Sequence, residues 1–415
     1  MNYYNIGGDD LNESVKNKSN RDSELTKSDK SEVKTTMKNP KVNIKISKGE
    51  LLEFRIKRLL FSMGYFCKIG VIINADRSEF SDNITDLDVL GFSMHKDFTC
   101  KSIWADCKSG NARPLERISW INGVKRFANI DDVVFVKKGV RVSTKQFARK
   151  SGIQIMDLEV LQKFENDYKI EDTSVEGSWD YNTQRECENI LQKIHIYKSE
   201  NIKKILKFIK VNYWSLDEYT QVKKCITALN QLGDFLKMPI ADNEIKALKW
   251  AVYEVVSLFV LSTIKICRNT YYFNSRDRNQ IITDGITSGE TVNKERQKEI
   301  IEASYKVINS VIRTQVPGFT GSIAVPNLDI KPPNYLEAYL DLIERMTSSP
   351  LEYYDILRFL DYILMEYDLK NKNIAIDETS KYFVNSTVLE RSSKTILHLI
   401  CSVTNLPKDI FSIIR

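Results

Sequence analysis

Histidine and paired cysteine are scarce in this sequence. Its 415 residues contain three histidines, His95, His195 and His398, which lie too far apart in the chain to indicate a zinc hydrolase. Seven cysteines form no CxxC pair, and their odd number does not suit a disulfide framework. We therefore expect reduced thiols, which favour a cytoplasmic protein.

Phosphate-binding loops and long apolar runs are missing as well. Neither G-x-x-x-x-G-K-[ST] nor a strand-associated G-x-G-x-x-G occurs, so nothing supports the use of ATP or a dinucleotide. The first forty residues are polar and lack the apolar core of a signal peptide. The best membrane candidate, AVYEVVSLFVLSTIKI at 251–266, is short for a span and contains Glu254. It predicts a buried helix, and we expect no membrane association.

Positive charge is concentrated in one part of the chain. The whole sequence has a formal net charge of +6, from 61 Lys and Arg against 55 Asp and Glu. Between 101 and 150, twelve Lys and Arg stand against four Asp and Glu, a net charge of +8. Such a concentration indicates a polyphosphate partner, although a solvated surface also collects lysines. The charge alone leaves both interpretations open.

Composition divides the chain into four parts. Residues 1–42 are rich in Ser, Asn, Lys and Asp with little apolar periodicity, which predicts a disordered polar tail. Helical and strand patterns alternate over 43–170, whereas 185–415 consists almost entirely of helical patterns, with a linker at 171–184. The predicted fold is an α/β domain, in which helices flank a mixed sheet, followed by an all-α domain.

The α/β region has a definite element order. Ser47 and Glu50 form a capping box before a helix that stops at Gly64, and Glu53 lies at the edge of its apolar stripe. Five strands are predicted, in FCKIGVII, DVLGFSM, KSIWADCK, VVFV and IQIM. Helices are predicted after the third and fourth strands, the second of them opened by a capping box at Ser143. The predicted order is α, β, β, β, α, β, α, β.

The third predicted strand ends in a group of polar residues. Side chains alternate between the faces of a strand, so Asp106 and Lys108 share one face while Cys107 points to the other. Asp88, on the adjoining strand, offers a second carboxylate. Two carboxylates with backbone carbonyls and water suit Mg²⁺, and the lysine would then face a phosphate or an attacking water. The other interpretation is a surface ion pair of little consequence for stability.

These residues carry a resemblance to a known family. The stretches DVLG and DCK resemble the D…(D/E)xK active site of the PD-(D/E)xK nuclease superfamily. The stretch GELLEFRIKRLLFSMGYFCKIG is similar to the opening helix and first strand of Mrr-type and Holliday-junction-resolvase-like members. The resemblance covers residues 47–165, less than a third of the chain. It implies a restriction-endonuclease-like fold for the α/β region.

The resemblance also implies a role for each matching residue. Asp88 and Asp106 would bind Mg²⁺, with Mn²⁺ as a substitute, helped by the main-chain carbonyl of Cys107. Glu53 would bind the ion directly or through water, and Lys108 would orient the attacking water and stabilise the charge that develops on phosphorus.

Asp86 is a weaker alternative to Asp88 as the first metal ligand. It lacks the hydrophobic residues that directly follow the family's acid, and it lies two residues earlier on the same strand face. We therefore expect Asp88 to be the ligand.

The resemblance implies hydrolysis of phosphodiester bonds in nucleic acid, DNA more than RNA, in defence, restriction or repair. The residues expected to contact the phosphate backbone are Arg113, Arg117, Lys125 and Arg126. Trp120 is expected to belong to the core. The alternative function is a non-catalytic module that keeps the nuclease fold as a platform for binding nucleic acid or protein.

The helical region at 185–415 resembles no known family. A helical addition to a small nuclease domain supplies dimerisation, target selection or control by a protein partner. A homodimer is our default expectation, because nucleases of this kind need two active sites for a double-strand cut. Among the helical patterns, the polar stretch at 268–295 is expected to be a linker.

Overall fold

The structure is a computed structural model of the whole chain. It describes residues 47–75, 82–110, 113–170, 181–288, 294–325, 331–374 and 376–414. The predicted tail at 1–42 and most of the predicted linker, 171–180, lie outside the described residues. The described residues belong to one compact unit, Lys45–Arg415.

A five-stranded mixed sheet with flanking helices forms the first part of the structure. Its elements are α1 Lys48–Ser62, β1 Phe66–Asn74, β2 Asn83–Met94, β3 Cys100–Lys108, α2 Pro114–Phe127, β4 Asp132–Lys137, α3 Val142–Lys150, β5 Ile153–Met156 and α4 Leu158–Asp167. The strands lie in chain order, with β1, β2 and β3 antiparallel and β3, β4 and β5 parallel. The predicted element order is confirmed.

The two predicted capping boxes have different outcomes. At α1, the Ser47 hydroxyl accepts from the Glu50 amide at 3.2 Å and the Glu50 carboxylate accepts from the Ser47 amide at 2.9 Å, as predicted. The box predicted at Ser143 is wrong. The helix α3 begins earlier, because the Lys145 amide donates to the Arg141 carbonyl and closes the first turn there.

Helices cover both faces of the sheet. On one face, α1 and α4 pack over the buried residues Cys67, Val89, Ile103, Ala105, Cys107 and Val136. On the other face, α2 contributes Ile118, Ile121 and Val124 to a core with Trp104, Val133 and Phe135. The alternation along β3 therefore places Asp106 and Lys108 on the same face as Trp104 and α2.

The second part of the structure is helical. Its helices are α5 Tyr181–Lys193, α6 Ser199–Lys210, α7 Glu218–Leu236, α8 Asp242–Thr270, α9 Ser275–Ser288, α10 Lys294–Gln315, α11 Leu336–Ser348, α12 Pro350–Tyr353, α13 Ile356–Glu366, α14 Ile376–Thr379 and α15 Ser386–Val403. The prediction of a linker at 268–295 is wrong. It contains α9, whose residues Ile282 and Ile286 are buried.

The helix α8 lies at the centre of the helical part. Among the described helices it alone is long and apolar enough to cross a membrane, yet 94% of its most apolar window is buried inside the protein. Its Glu254 is buried and accepts a hydrogen bond from Lys68 Nζ of β1 at 2.5 Å. The prediction of a buried helix at 251–266 is therefore confirmed.

The sheet and the helical part share one hydrophobic core. The Phe92 ring of β2 stacks on Trp214, with ring centroids 6.0 Å apart and an angle of 3° between the planes. The Phe61 ring of α1 stacks on Tyr362 of α13 with centroids 5.8 Å apart. The cluster of buried side chains continues without a break from the sheet into α8 and α13.

Candidate active site

Three of the predicted residues meet where β2 and β3 lie side by side. The strands pair with Val89 opposite Ala105, which brings the next residues, Asp88 and Asp106, beside each other. The Nζ atom of Lys108 lies 3.1 Å from Asp88 Oδ2 and 3.5 Å from Asp106 Oδ1. The lysine therefore bridges the two carboxylates.

Asp88 is fixed by a main-chain contact as well. Its Oδ2 accepts from the Cys107 amide at 2.6 Å, across the gap between the strands. Asp88 is 6% exposed, and burial raises the pKa of its carboxyl. Lys108 opposes that shift and Asp106 adds to it, so the carboxyl pKa ends above its ordinary value. The site thus favours a cation beside Asp88.

Asp106 has a second cationic partner that the sequence did not indicate. The guanidinium of Arg117 on α2 donates from Nε to Asp106 Oδ2 at 2.9 Å and from Nη2 to Asp106 Oδ1. Asp106 is 0% exposed, whereas the Arg117 side chain is 23% exposed. This bidentate pair neutralises a carboxylate that would otherwise be buried with only Lys108 near it.

Glu53 comes to the site from α1, on the opposite face of the sheet. The first turn of α1 lies beside the end of β3, since a Cβ added to Gly49 would lie 3.7 Å from Ser109 Oγ. Burial, together with the charge of Asp88, raises the pKa of Glu53 to about 7, and Lys108 lowers it in part. Glu53 therefore lies within electrostatic range of the cluster.

The alternative ligand Asp86 has a different environment. It is exposed, it lies opposite Ile72 of β1, and no ion pair is found for it within the described residues. Burial and the contact with Lys108 distinguish Asp88 from Asp86, and the choice of Asp88 as the metal ligand stays a prediction.

The helical part also reaches the rim of the site. Glu50, one turn before Glu53, accepts hydrogen bonds from Tyr181 Oη and Arg185 Nη2 of α5. Burial raises the pKa of Glu50, but these bonds, those from Ser47 and the charge of Arg185 outweigh it and lower the pKa to about 2. Because more than 130 positions separate the partners, no local sequence pattern could have predicted this contact.

The four predicted phosphate-contacting residues do not lie together. Arg113 immediately precedes α2, at the end of the helix nearer the Asp88–Asp106 cluster, and pairs with Glu116, whereas Arg117 binds Asp106. Lys125 and Arg126 lie in the last turn of α2, at the opposite end of the helix. There the Lys125 ammonium donates to the carbonyl of Gly152, just before β5.

Lys137 is closer to the site than the last turn of α2. It lies opposite Lys108 in the pairing of β3 with β4, and its ammonium donates to the carbonyl of Gly110 at 2.7 Å. The carboxyl ends of two parallel strands meet at the same edge of a sheet. A basic residue at the end of β4 could therefore have been predicted from the sequence to lie near the end of β3.

No family model, curated protein or solved structure matches this chain. The chemistry of the site therefore rests on its own geometry. Within the ranges that the structure describes, no three His, Cys, Asp or Glu side chains are arranged so as to hold a metal ion.

The types of donor in the cluster nevertheless fit a hard divalent cation. Asp88 and Asp106 supply carboxylate oxygens, and Glu53 lies within electrostatic range as a third carboxyl group. In the present arrangement the positive charge between the carboxylates comes from Lys108 and Arg117. Release of Asp106 by Arg117 would free both of its oxygens for a metal ion.

Proposed function

We propose that this protein is a metal-dependent nuclease with a restriction-endonuclease-like domain, which hydrolyses phosphodiester bonds of nucleic acid and prefers DNA to RNA. The observation that carries the proposal is the pair of buried carboxylates Asp88 and Asp106, on two adjoining strands, bridged by the half-buried Lys108. The position of α1 directly before a mixed sheet supports membership of the PD-(D/E)xK nuclease superfamily. The preference for DNA and a role in defence, restriction or repair follow from the resemblance alone.

The buried acids are suited to holding a divalent cation. Asp88, Asp106 and Glu53, with the main-chain carbonyl of Cys107, would bind Mg²⁺ or Mn²⁺, because buried carboxylates require a counter-ion. Such an ion polarises the phosphate and lowers the pKa of the water that attacks it.

Lys108 would act as a fixed donor to the reacting phosphate. Burial lowers the pKa of its ammonium, but Asp106 and Asp88 outweigh that effect and raise it above the ordinary value. Lys108 therefore stays cationic at neutral pH. It can orient the attacking water and stabilise the negative charge that grows while one P–O bond forms and the ester P–O bond breaks.

The remaining parts of the proposal concern location and partners. We propose a cytoplasmic protein that acts as a homodimer, with the helical part providing dimerisation or contact with a regulatory partner. The Glu50 contact with Tyr181 and Arg185 supports control of the site from the helical part, because it joins α5 to the helix that carries Glu53.

A non-catalytic platform for nucleic acid or protein is the second candidate function. It is favoured by the Arg117–Asp106 pair, since a carboxylate with a permanent guanidinium partner needs no metal ion. The two candidates differ in whether the cluster is a metal-dependent unit.

Cleavage assays would decide between them. The purified chain would be incubated with supercoiled plasmid, linear DNA and RNA, in Mg²⁺, Mn²⁺ or EDTA. We expect metal-dependent cutting that Asp106→Asn and Asp88→Asn abolish and that Lys108→Met slows by roughly 10²–10³.

The matched control is Asp86→Asn, which removes an exposed carboxylate from the same strand and should leave cutting intact. Thermal melting would establish that each variant is folded. Binding of DNA without cutting by the wild type, in every metal tested, would favour the platform.

A further inference from the structure

Arg117 is held in place from two sides. One side is the bidentate contact with Asp106. On the other, the guanidinium carbon lies 3.6 Å from the ring centroid of Trp120, one turn further along α2. Trp120 in turn packs edge-on against Trp104, two residues before Asp106 on β3, with centroids 5.8 Å apart. The position of Arg117 is therefore set by the packing of α2 on the sheet.

The same two oxygens of Asp106 are the ones that a metal ion needs. Asp106 has no exposed surface, so a hydrated cation can reach its carboxylate only when a neighbouring side chain moves. Lys108 lies 3.5 Å from a single oxygen, whereas Arg117 binds both. Of these two neighbours, Arg117 is thus the one whose departure frees the carboxylate.

We propose that Arg117 and a divalent cation compete for Asp106, so that Arg117 is a positioning residue with two alternative partners. In the resting protein Arg117 neutralises Asp106. When the metal binds, Arg117 moves to a phosphate of the nucleic acid, whose backbone suits a guanidinium. The identity of that second partner rests on the proposed function, whereas the competition concerns only Arg117, Asp106 and the cation.

The competition predicts weak metal binding in the absence of nucleic acid. An apparent Kd equals the intrinsic Kd divided by the fraction of competent molecules, so pairing in nine molecules of ten weakens binding about tenfold. Nucleic acid that draws Arg117 away would restore the affinity. The metal and the substrate would therefore bind cooperatively.

Binding of Mn²⁺ to the full chain tests the competition without any need for cleavage. Free Mn²⁺ would be followed by electron paramagnetic resonance, with no nucleic acid present. We expect Arg117→Gln to bind Mn²⁺ about tenfold more tightly than the wild type. Adding Asp106→Asn to that variant should remove the gain in Mn²⁺ affinity.

The matched control is Arg113→Gln, which removes the same charge from the residue directly before the same helix, at a side chain that is 84% exposed. It should bind Mn²⁺ as the wild type does. An equal gain in Mn²⁺ affinity in both variants would show that the effect comes from long-range charge, and would overturn the proposal. No gain in Mn²⁺ affinity in either variant would also overturn it.

A second variant covers the case in which Arg117→Gln does not fold. Trp120→Leu keeps the arginine but removes the ring that supports it, and should give a smaller gain in the same direction. A folded Trp120→Leu variant with wild-type affinity would then overturn the proposal.

Failure of the proposed function is distinguishable from failure of this inference. A tighter Mn²⁺ complex in Arg117→Gln, in a protein that cuts no nucleic acid, would support the competition and refute the nuclease. A wild type that cuts nucleic acid, with Mn²⁺ affinity that Arg117→Gln leaves unchanged, would refute the competition alone.

Discussion

At the scale of single residues, the two carboxylates of the cluster have complementary surroundings. Asp88 receives a main-chain amide and the Lys108 ammonium on one oxygen, whereas Asp106 receives the Arg117 guanidinium on both. Two acids of the same chemical type are therefore held differently, one partly by the backbone and the other by side chains alone. Under the proposed competition, this asymmetry would let Asp106 be released while Asp88 keeps its bond to the backbone.

Glu53 should make stability depend on pH in the metal-free protein. Its pKa is raised from 4.5 to about 7 by burial and by Asp88, so the folded state holds a proton that the unfolded state has lost between these values. The stabilising contribution is complete below pH 4.5 and is lost as the pH rises through about 7. Relative to Glu53→Gln, the free energy of unfolding of the wild type should fall over this range.

Denaturant titrations in EDTA at a series of pH values would measure that difference. The control is Glu116→Gln, at a glutamate whose side chain is 70% exposed, which should keep the wild-type profile. Parallel profiles for wild type and Glu53→Gln would mean that Glu53 is ionised in the folded protein throughout this range.

The sequence predicted the central cluster because only local geometry was needed. Alternation along β3 places Asp106 and Lys108 on one face, and the pairing of neighbouring strands brings Asp88 beside them. The Arg117–Asp106 pair could not be predicted in the same way. It depends on how α2 rotates and packs on Trp104, which is set by tertiary contacts rather than by spacing.

At the scale of elements, two helices contain a glycine in opposite environments. A Cβ on Gly233 of α7 would lie 2.6 Å from the carbonyl carbon of Asn405, whereas a Cβ on Gly123 of α2 would meet nothing within 4 Å. The same Gly→Ala substitution should therefore change the stability of the fold in opposite directions at the two positions. We expect Gly233→Ala to destabilise the fold by about 1–3 kcal/mol, and Gly123→Ala to stabilise it by about 0.5–1 kcal/mol.

Urea titrations of the two variants beside the wild type would measure both changes. Each variant is the control for the other, because the residue, the helical setting and the added methyl group are the same. Stabilisation by Gly233→Ala would show that α7 and the 405 region do not pack as described.

Elements with strong periodicity were predictable and those with a narrow buried stripe were not. The strands and α1 bury enough apolar residues for their patterns to be recognised. In α9, Ile282, Gly285 and Ile286 form a short buried stripe, and Gly285 is there because a Cβ would lie 2.6 Å from the Tyr219 ring. Polar residues dominate the rest of α9, so its sequence resembles a linker.

At the scale of the whole molecule, a buried ion pair connects the sheet to α8. Lys68 Nζ of β1 lies 2.5 Å from Glu254 Oε2 and 3.9 Å from Asp361 Oδ1 of α13, and all three residues are buried. Lys57 of α1 also interacts electrostatically with Glu254 and Asp361, so removal of Lys68 leaves these two buried carboxylates with only part of their compensating positive charge. We expect Lys68→Met to cost about 3–5 kcal/mol of unfolding free energy, and Lys68→Met with Glu254→Leu to cost less than Lys68→Met alone.

A surface pair provides the comparison. Lys101 Nζ lies 2.6 Å from Asp132 Oδ2, but both side chains are about half exposed, so Lys101→Met should change stability by less than about 1 kcal/mol. Denaturant unfolding of the three variants would measure the effects. A Lys68→Met cost as small as that of Lys101→Met would mean that water or the Lys57 ammonium compensates the charge of Glu254.

The shared core also bears on how such a chain can be divided and recombined. Phe61, Phe92 and Lys68 each have their partner in the helical part, so a cut after α4 would expose an aromatic surface and separate Lys68 from Glu254. The sheet region is therefore not a module that could be transferred alone. Exchange of whole domains between proteins, which is easy across a flexible linker, would here require the sheet and the helices to be inherited together.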